Sequence, residues 1–200
     1  MEDVREALPK HKTKKYNRRA LAMIDRVILH HVGVKGRVTA EVIARFHIQV
    51  KYEDGKPVPD SDWPGIGYHF YIREEGTIYW TQDLEVVAYH AGPKANLTGV
   101  GVCLEGDFRE GRVPTVKQIA GLRETIAFVK EKVGAWPRLE PHYNYVQTEC
   151  PGVAYETAKD LLYGQRRYRL VGGWLSQKEA QELDDMLREF VAGLRIEETA

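Results

Sequence analysis

The sequence predicts an α/β fold, a central mixed β-sheet flanked by helices, and three observations carry that expectation. Short β-branched runs bounded by glycine, residues 26–33 (RVILHHVG) and Val100–Leu104, read as buried strands. Tyr68–Arg73 and Thr77–Thr81 flank Glu74-Glu75-Gly76, a hairpin signal that puts an antiparallel pair into the sheet. Capped segments of helical period follow the strands along the chain. Strands and helices mixed in this way describe one layered domain.

The first twenty residues, MEDVREALPKHKTKKYNRRA, carry a basic run at 9–19 and no continuous apolar stretch. They read as a solvated basic arm, with a contact to an anionic polymer as the sharper alternative. They lack the apolar region of a secretory signal, so synthesis in the cytoplasm without a signal peptide is the expectation. After the strand at 26–33, Thr39 can cap a helix over 40–51 with Val42, Ile43 and Phe46 on one face. Residues 52–67 are rich in Pro, Gly and Asp and read as a long loop, with Trp63 its one large apolar group.

Thr115 and Gln118 fit a capping box, and Ile119, Leu122, Ile126, Val129 and Val133 form the stripe of the helix it opens. Residues 134–152 read as loop and 153–163 as helix. Residues 164–173 resemble a linker. Ser176 with Glu179 starts a last helix lined by Leu183, Leu187, Phe190 and Leu194. That helix either packs on the main domain or joins a second copy or another partner. The domain reading is therefore a basic N-terminal arm at 1–20, a catalytic domain at 21–165, and a linker with a C-terminal helical extension at 166–200.

Composition narrows the function. A 200-residue chain can bury a core without disulfides, and two cysteines are too few for a disulfide scaffold. Lys and Arg (29) balance Asp and Glu (29), so no long-range pull toward nucleic acid or an anionic membrane is implied. No stretch has the apolar length of a membrane span. There is no Gly-rich phosphate loop and no GxSxG elbow. Cys150 precedes Pro151-Gly152, which is not the helix N-terminus that activates a thiolate nucleophile.

Histidine is the remaining chemistry, as the commonest metal ligand and a usual acid–base group. Of seven histidines, His11 lies in the basic arm and His47 at a helix surface or core edge. His30 and His31 are neighbours on a strand, so only one can face a given site. His142 and Cys150 share the stretch PHYNYVQTECPG. Zinc takes imidazole nitrogen and thiolate sulfur, with three protein ligands in catalytic sites. His30, His142 and Cys150 can supply such a set, although neither HExxH nor a paired CxxC is present.

Four blocks in order carry a family resemblance: VILHHVG (27–33), GYHFYIREEGTIY (67–79), YHAG with GVGVCLEGDF (89–108), and HYNYVQTECPG (142–152). Over roughly residues 20–165 the chain resembles the zinc-dependent N-acetylmuramoyl-L-alanine amidases, which include phage lysozyme-type amidases and peptidoglycan recognition proteins. The resemblance implies a zinc cleft on one face of the sheet, Zn²⁺ as cofactor, and His30, His142 and Cys150 as its ligands. It also implies cleavage of the amide between N-acetylmuramic acid and L-alanine of bacterial peptidoglycan, endolysin-like, after release to the wall. A non-catalytic peptidoglycan-binding module is the alternative, which the presence of Cys150 disfavours.

The resemblance further places Tyr68 beside the zinc as a catalytic hydrogen-bond donor. Thr148 stands at a position that varies between Lys and Thr. Cys103 stands where the cytosolic anhydro-muropeptide amidases carry Glu. His90, Trp63 and Asn96 are expected along the substrate cleft, and His69 is expected to be structural. Peptidoglycan is the expected partner, with no nucleic acid and no membrane, and the C-terminal helix is a candidate for homo-oligomer contact.

Overall fold

Residues 26–31 are apolar and β-branched up to a His pair, as a strand buried on both faces should be. The computed structural model describes residues 1–163 together with 169, 170, 173 and 174. In it β2 (Arg26–His31) lies between two parallel partners, β7 (Gly99–Leu104) and β8 (Arg138–Pro141). With β1 (Glu2–Asp3), β5 (Phe70–Ile72) and β6 (Ile78–Trp80) they form a six-stranded sheet in the order β1-β6-β5-β7-β2-β8. Only β5 and β6, the predicted hairpin, run antiparallel, so the sheet is mixed, as expected.

Register decides which side chains share a face. His30 lies opposite Cys103, Ile28 opposite Gly101, and Tyr71 opposite Cys103. Paired residues point the same way and alternate ones point apart. One face therefore carries Ile28, His30, Gly101, Cys103 and Tyr71. The other receives α3 (Val116–Val133), whose stripe of Ile119, Leu122, Ile126 and Val129 is buried. The predicted box at Thr115 and Gln118 forms in both halves. Gly121 lets α3 settle close, because a Cβ there would stand 3.1 Å from the Ile72 side chain.

On the first face lies α1 (Ala40–His47), capped by Thr39, whose hydroxyl oxygen accepts the Val42 N–H at 3.2 Å. Its buried positions are Ala40, Ile43, Ala44 and His47. Val42 and Phe46, expected on the buried face with Ile43, are 55% and 59% exposed. The spacing 40, 43, 44, 47 is the better helical stripe, and the two alanines allow closer approach to the sheet.

Two segments expected to be irregular are ordered by pairing. The loop reading at 134–152 contains β8, an edge strand whose charged Arg138 and Glu140 hid it in the sequence. The loop at 52–67 holds a small hairpin of β3 (Tyr52–Glu53) and β4 (Lys56–Pro57). A short α2 (Pro93–Thr98) was not expected, though Pro93 at its first turn after Gly92 is the signal that marks it.

Nor is the N-terminal arm a solvated tail. β1 joins the sheet beside β6, Leu8 enters the core, and Arg18 bridges to Val86. Lys14 pairs with Asp62 at 2.8 Å, and the Tyr16 hydroxyl donates to the Gly65 and Ile66 carbonyls. The guanidinium of Arg19 is buried and donates to the Leu84, Asn96 and Gly99 carbonyls at 2.8–2.9 Å. Apolar and hydrogen-bonding residues inside the basic run thus decide its course, and Lys14 and Arg18 find acidic partners in Asp62, Asp83 and Glu85.

By contact the chain divides into Met1–Lys159 and Asp160–Ala200. α4 (Ala154–Tyr163) buries Ala154 and Ala158. In the second unit β9 (Arg169–Leu170) pairs antiparallel with β10 (Gly173–Trp174). The expected helix with Leu183, Leu187, Phe190 and Leu194 lies outside the described residues. Among the described residues no helix is long and apolar enough to cross a membrane.

Glu105, which closes β7, ties three connections together. Its carboxylate accepts the Val38 and Glu74 N–H groups at 2.9 and 3.0 Å and pairs with Arg73 at 2.9 Å. Burial pushes its pKa up, but these donors outweigh burial and hold it below the usual carboxylate value. A carboxylate depressed on folding stabilises the native state above its unfolded pKa of about 4.3, and that stability is lost as pH falls through the folded value. The urea midpoint should therefore fall more steeply from pH 6 to pH 3 in the wild type than in Glu105→Gln. Parallel slopes would remove Glu105 from the acid sensitivity.

Candidate metal centre

Three ligating groups from two distant parts of the chain meet at the C-terminal end of β2. His30 Nδ1 or Nε2, His142 Nδ1 or Nε2 and Cys150 Sγ offer one atom each, all within 4.8 Å of one another. The sheet register brings the first two together. Pro141 lies opposite Leu29, so the next residue, His142, emerges level with His30. Their ring centroids are 4.3 Å apart.

The return of Cys150 depends on the loop that follows. Residues His142–Asn144 make a single 3₁₀ turn, and the Tyr143 N–H donates back to the Cys150 carbonyl at 3.1 Å. Tyr145 packs on Ile28, Ala91 and Ala95, and its hydroxyl is held between Glu140 and Arg26. Gly152 has φ +62°, and a Cβ there would fall 2.3 Å from the Phe108 carbonyl oxygen. Gly152, two residues after the cysteine, is thus needed for close passage of backbone past backbone.

The polar state of the cluster suits a cation. Burial drives His30 well below its usual pKa and takes His142 to about 4, so both imidazoles are neutral and each has a bare nitrogen. His142 Nδ1 is buried without a hydrogen-bond partner. Burial raises the Cys150 thiol to about 11, partly offset by the His31 N–H, whose nitrogen lies 3.4 Å from Sγ. A thiol so raised is deprotonated by coordination to a divalent ion. Two neutral imidazoles, one of them with an orphaned nitrogen, and a thiol form a donor set that fits zinc.

The other histidines are sorted by what their nitrogens touch. His31, on the opposite face of β2, accepts the Phe108 N–H at Nδ1 (3.1 Å) and is a packed residue, as strand alternation requires for one of the pair. His69 accepts the Gly101 N–H at Nδ1 and donates from Nε2 to the Val86 carbonyl, which makes it structural. His47 is 7% exposed and accepts the Gly67 N–H at 3.0 Å, so it is no surface residue. Its place four residues after Ile43 on the buried stripe of α1 is the signal that locates it.

Tyr68 stands at the centre, its ring 5.2 Å from that of His30, with its hydroxyl beside the Cys103 thiol. Burial first, then Cys103 and Cys150, raise its pKa well above the usual value. Trp63 reaches this group through His47, with centroids 4.5 Å apart between Trp63 and His47 and 5.6 Å between His47 and Tyr68. Thr148 Oγ1 accepts the Cys150 N–H at 3.2 Å.

Two residues expected along the cleft are placed elsewhere. His90 is 7% exposed and lies behind His30, and burial takes its pKa to about 3. Asn96 is 5% exposed, and its Oδ1 accepts the His90 and Ala91 N–H groups at 3.0 and 2.7 Å. Through Oδ1 it braces a turn. Asn96→Ala strands two buried donors, each worth about 1–3 kcal/mol, so denaturation should show a loss of at least about 1 kcal/mol. An unchanged midpoint would contradict the bracing role.

The profile of the family described as N-acetylmuramoyl-L-alanine amidase matches residues 19–153. Peptidoglycan-recognition protein LB of Drosophila melanogaster is 36% identical over 95 residues, 46% of this chain and 40% of that protein. The endolysin of Klebsiella phage KP32 is 33% identical over 97 residues, 46% of this chain and 62% of that protein. The chain thus spans less than two thirds of the length of either relative. Among solved structures, the N-acetylmuramoyl-L-alanine amidase LysC from Clostridium intestinale URNW superposes with a TM-score of 0.58 at 28% identity, covering 76% of this chain and 95% of that one.

Proposed function

The chain belongs to the N-acetylmuramoyl-L-alanine amidase family, and from that premise we propose that it is a zinc-dependent hydrolase cutting the amide between N-acetylmuramic acid and L-alanine of peptidoglycan. The observation that carries this reading is the convergence of His30, His142 and Cys150 within 4.8 Å. Catalytic zinc sites use three protein ligands of these types. Zinc held by these residues supplies a Lewis acid that activates water and polarises the scissile carbonyl.

The chain's own residues then do three things. His30, His142 and Cys150 hold the ion. Tyr68 keeps its proton, because burial disfavours the phenolate, so its hydroxyl is available as a donor. It hydrogen-bonds the carbonyl oxygen as negative charge gathers there, a contribution of about 10²–10³ in rate for a single donor of this kind. Thr148 uses its oxygen to accept the Cys150 N–H and keeps its own hydrogen for a second, weaker donation. Cys103 is no general base, since burial pushes its thiol well above the usual value.

Trp63, with His47 behind it, forms an aromatic wall leading from Tyr68, suited to an apolar stretch of a muramoyl peptide. A wall substrate places the point of action at the bacterial cell wall.

Mass spectrometry of digested peptidoglycan tests the reaction. The expected products are glycans with a free lactyl carboxylate and stem peptides with a free L-alanine amine. Zinc-loaded protein that binds the wall without releasing these ends would support the binding-module reading, which the likeness to a peptidoglycan-recognition protein favours. Cys150→Ala should lose both bound zinc and turnover, and an active zinc-free variant would overturn the site. Tyr68→Phe should retain zinc while turnover falls by about 10²-fold or more; unchanged turnover would take Tyr68 out of the reaction.

A further inference from the structure

His90 has no place on the surface. Its Nδ1 lies 3.1 Å from His30 Nε2, with the two rings edge to face at 86°. Its seat is cut to shape. Gly101 runs beneath the ring, and a Cβ there would stand 2.8 Å from His90 Cγ. Asn96 Oδ1 pins the backbone of His90 and Ala91 from the other side.

We propose that His90 is a positioning residue that fixes the tautomer and orientation of His30, so that His30 presents a bare Nδ1 to the metal. The proposal rests on the reading of His30, His142 and Cys150 as a zinc site. A neutral imidazole carries one N–H and one bare nitrogen. His30 Nδ1 faces Cys150 Sγ at 3.9 Å, while its Nε2 faces His90. Coordination through Nδ1 requires the His30 proton on Nε2, and His90 Nδ1 is the acceptor that keeps it there.

The proton of His90 then sits on Nε2, which is buried and has no hydrogen-bond partner. In the opposite arrangement His30 Nδ1 would carry a proton aimed at the cluster and could not bind an ion. Metal-binding histidines usually give their second N–H to a carboxylate, a carbonyl or water. Here a neutral imidazole fills that place, so the ligand is oriented without adding negative charge to the site.

The position of the acceptor supplies the test. Asn carries its side-chain oxygen at the δ position, where His90 has Nδ1; Gln carries it one bond further out; Leu fills space with no acceptor. Zn²⁺ affinity of the full chain is measured by competition with a chromophoric chelator. His90→Leu and His90→Gln should weaken zinc about 10–100-fold, and His90→Asn should stay within about threefold of wild type. A packing role predicts the reverse order, because Gln matches the volume of His better than Asn does.

Equal weakening by Asn and Gln, or an unaffected His90→Leu beside a zinc-binding wild type, overturns the positioning role alone. A wild type with no zinc that depends on Cys150 overturns the metal site and this role with it. If His90→Leu fails to fold, the comparison of His90→Asn with His90→Gln decides by itself.

Discussion

The site depends on β2 being hydrogen-bonded in parallel along both edges. β7 on one side places Cys103 beside His30, and β8 on the other delivers His142 level with it. A slip of one residue in either pairing would turn a row of side chains to the opposite face. His31 would then take the place of His30, and the imidazole that accepts the Phe108 N–H would leave its partner. Burial of Val27, Ile28 and Leu29 holds the register, since each is fully buried. Hydrophobic packing thus sets the chemistry one residue further along the strand.

Around this strand the protein spends polar side chains on backbone. Asn96 braces the turn beside His90, and Thr148 braces the turn into Cys150. His31, His47 and His69 each accept a backbone N–H at Nδ1. Such bonds satisfy donors that the crowded glycines near the site would otherwise leave unpaired in a dry interior. Gly67 shows the crowding: a Cβ there would meet the Tyr89 carbonyl at 2.3 Å. The candidate ligands therefore stand on a framework whose own hydrogen bonds are largely closed, which is what a preorganised site requires.

Much of this was legible in the sequence, and the limits have physical causes. The capping box at Thr115 and the stripe through Val129 are local signals, and α3 follows them. Strand alternation required one of His30 and His31 to be packed away, but parity has no sign, and family resemblance was needed to choose His30. The buried face of α1 differs from the expected one because Val42 and Phe46 are larger than Ala40 and Ala44, whereas close packing on a sheet favours the small residues. β8 was hidden because an edge strand needs no apolar alternation. The basic run at 9–19 concealed Arg19, whose burial depends on carbonyls more than sixty residues away in sequence. Asn96 looked like a cleft residue because its neighbours in sequence border one, and only the fold shows where its side chain is spent.

The central claim is that two imidazoles and one thiolate of this chain grip a single zinc ion. X-ray absorption at the zinc edge, on the full chain loaded with one equivalent of Zn²⁺, tests it most directly. The account predicts one sulfur scatterer together with imidazole scatterers, the sulfur vanishing in Cys150→Ala. A zinc environment without sulfur in the wild type, or one unchanged by that substitution, would contradict it.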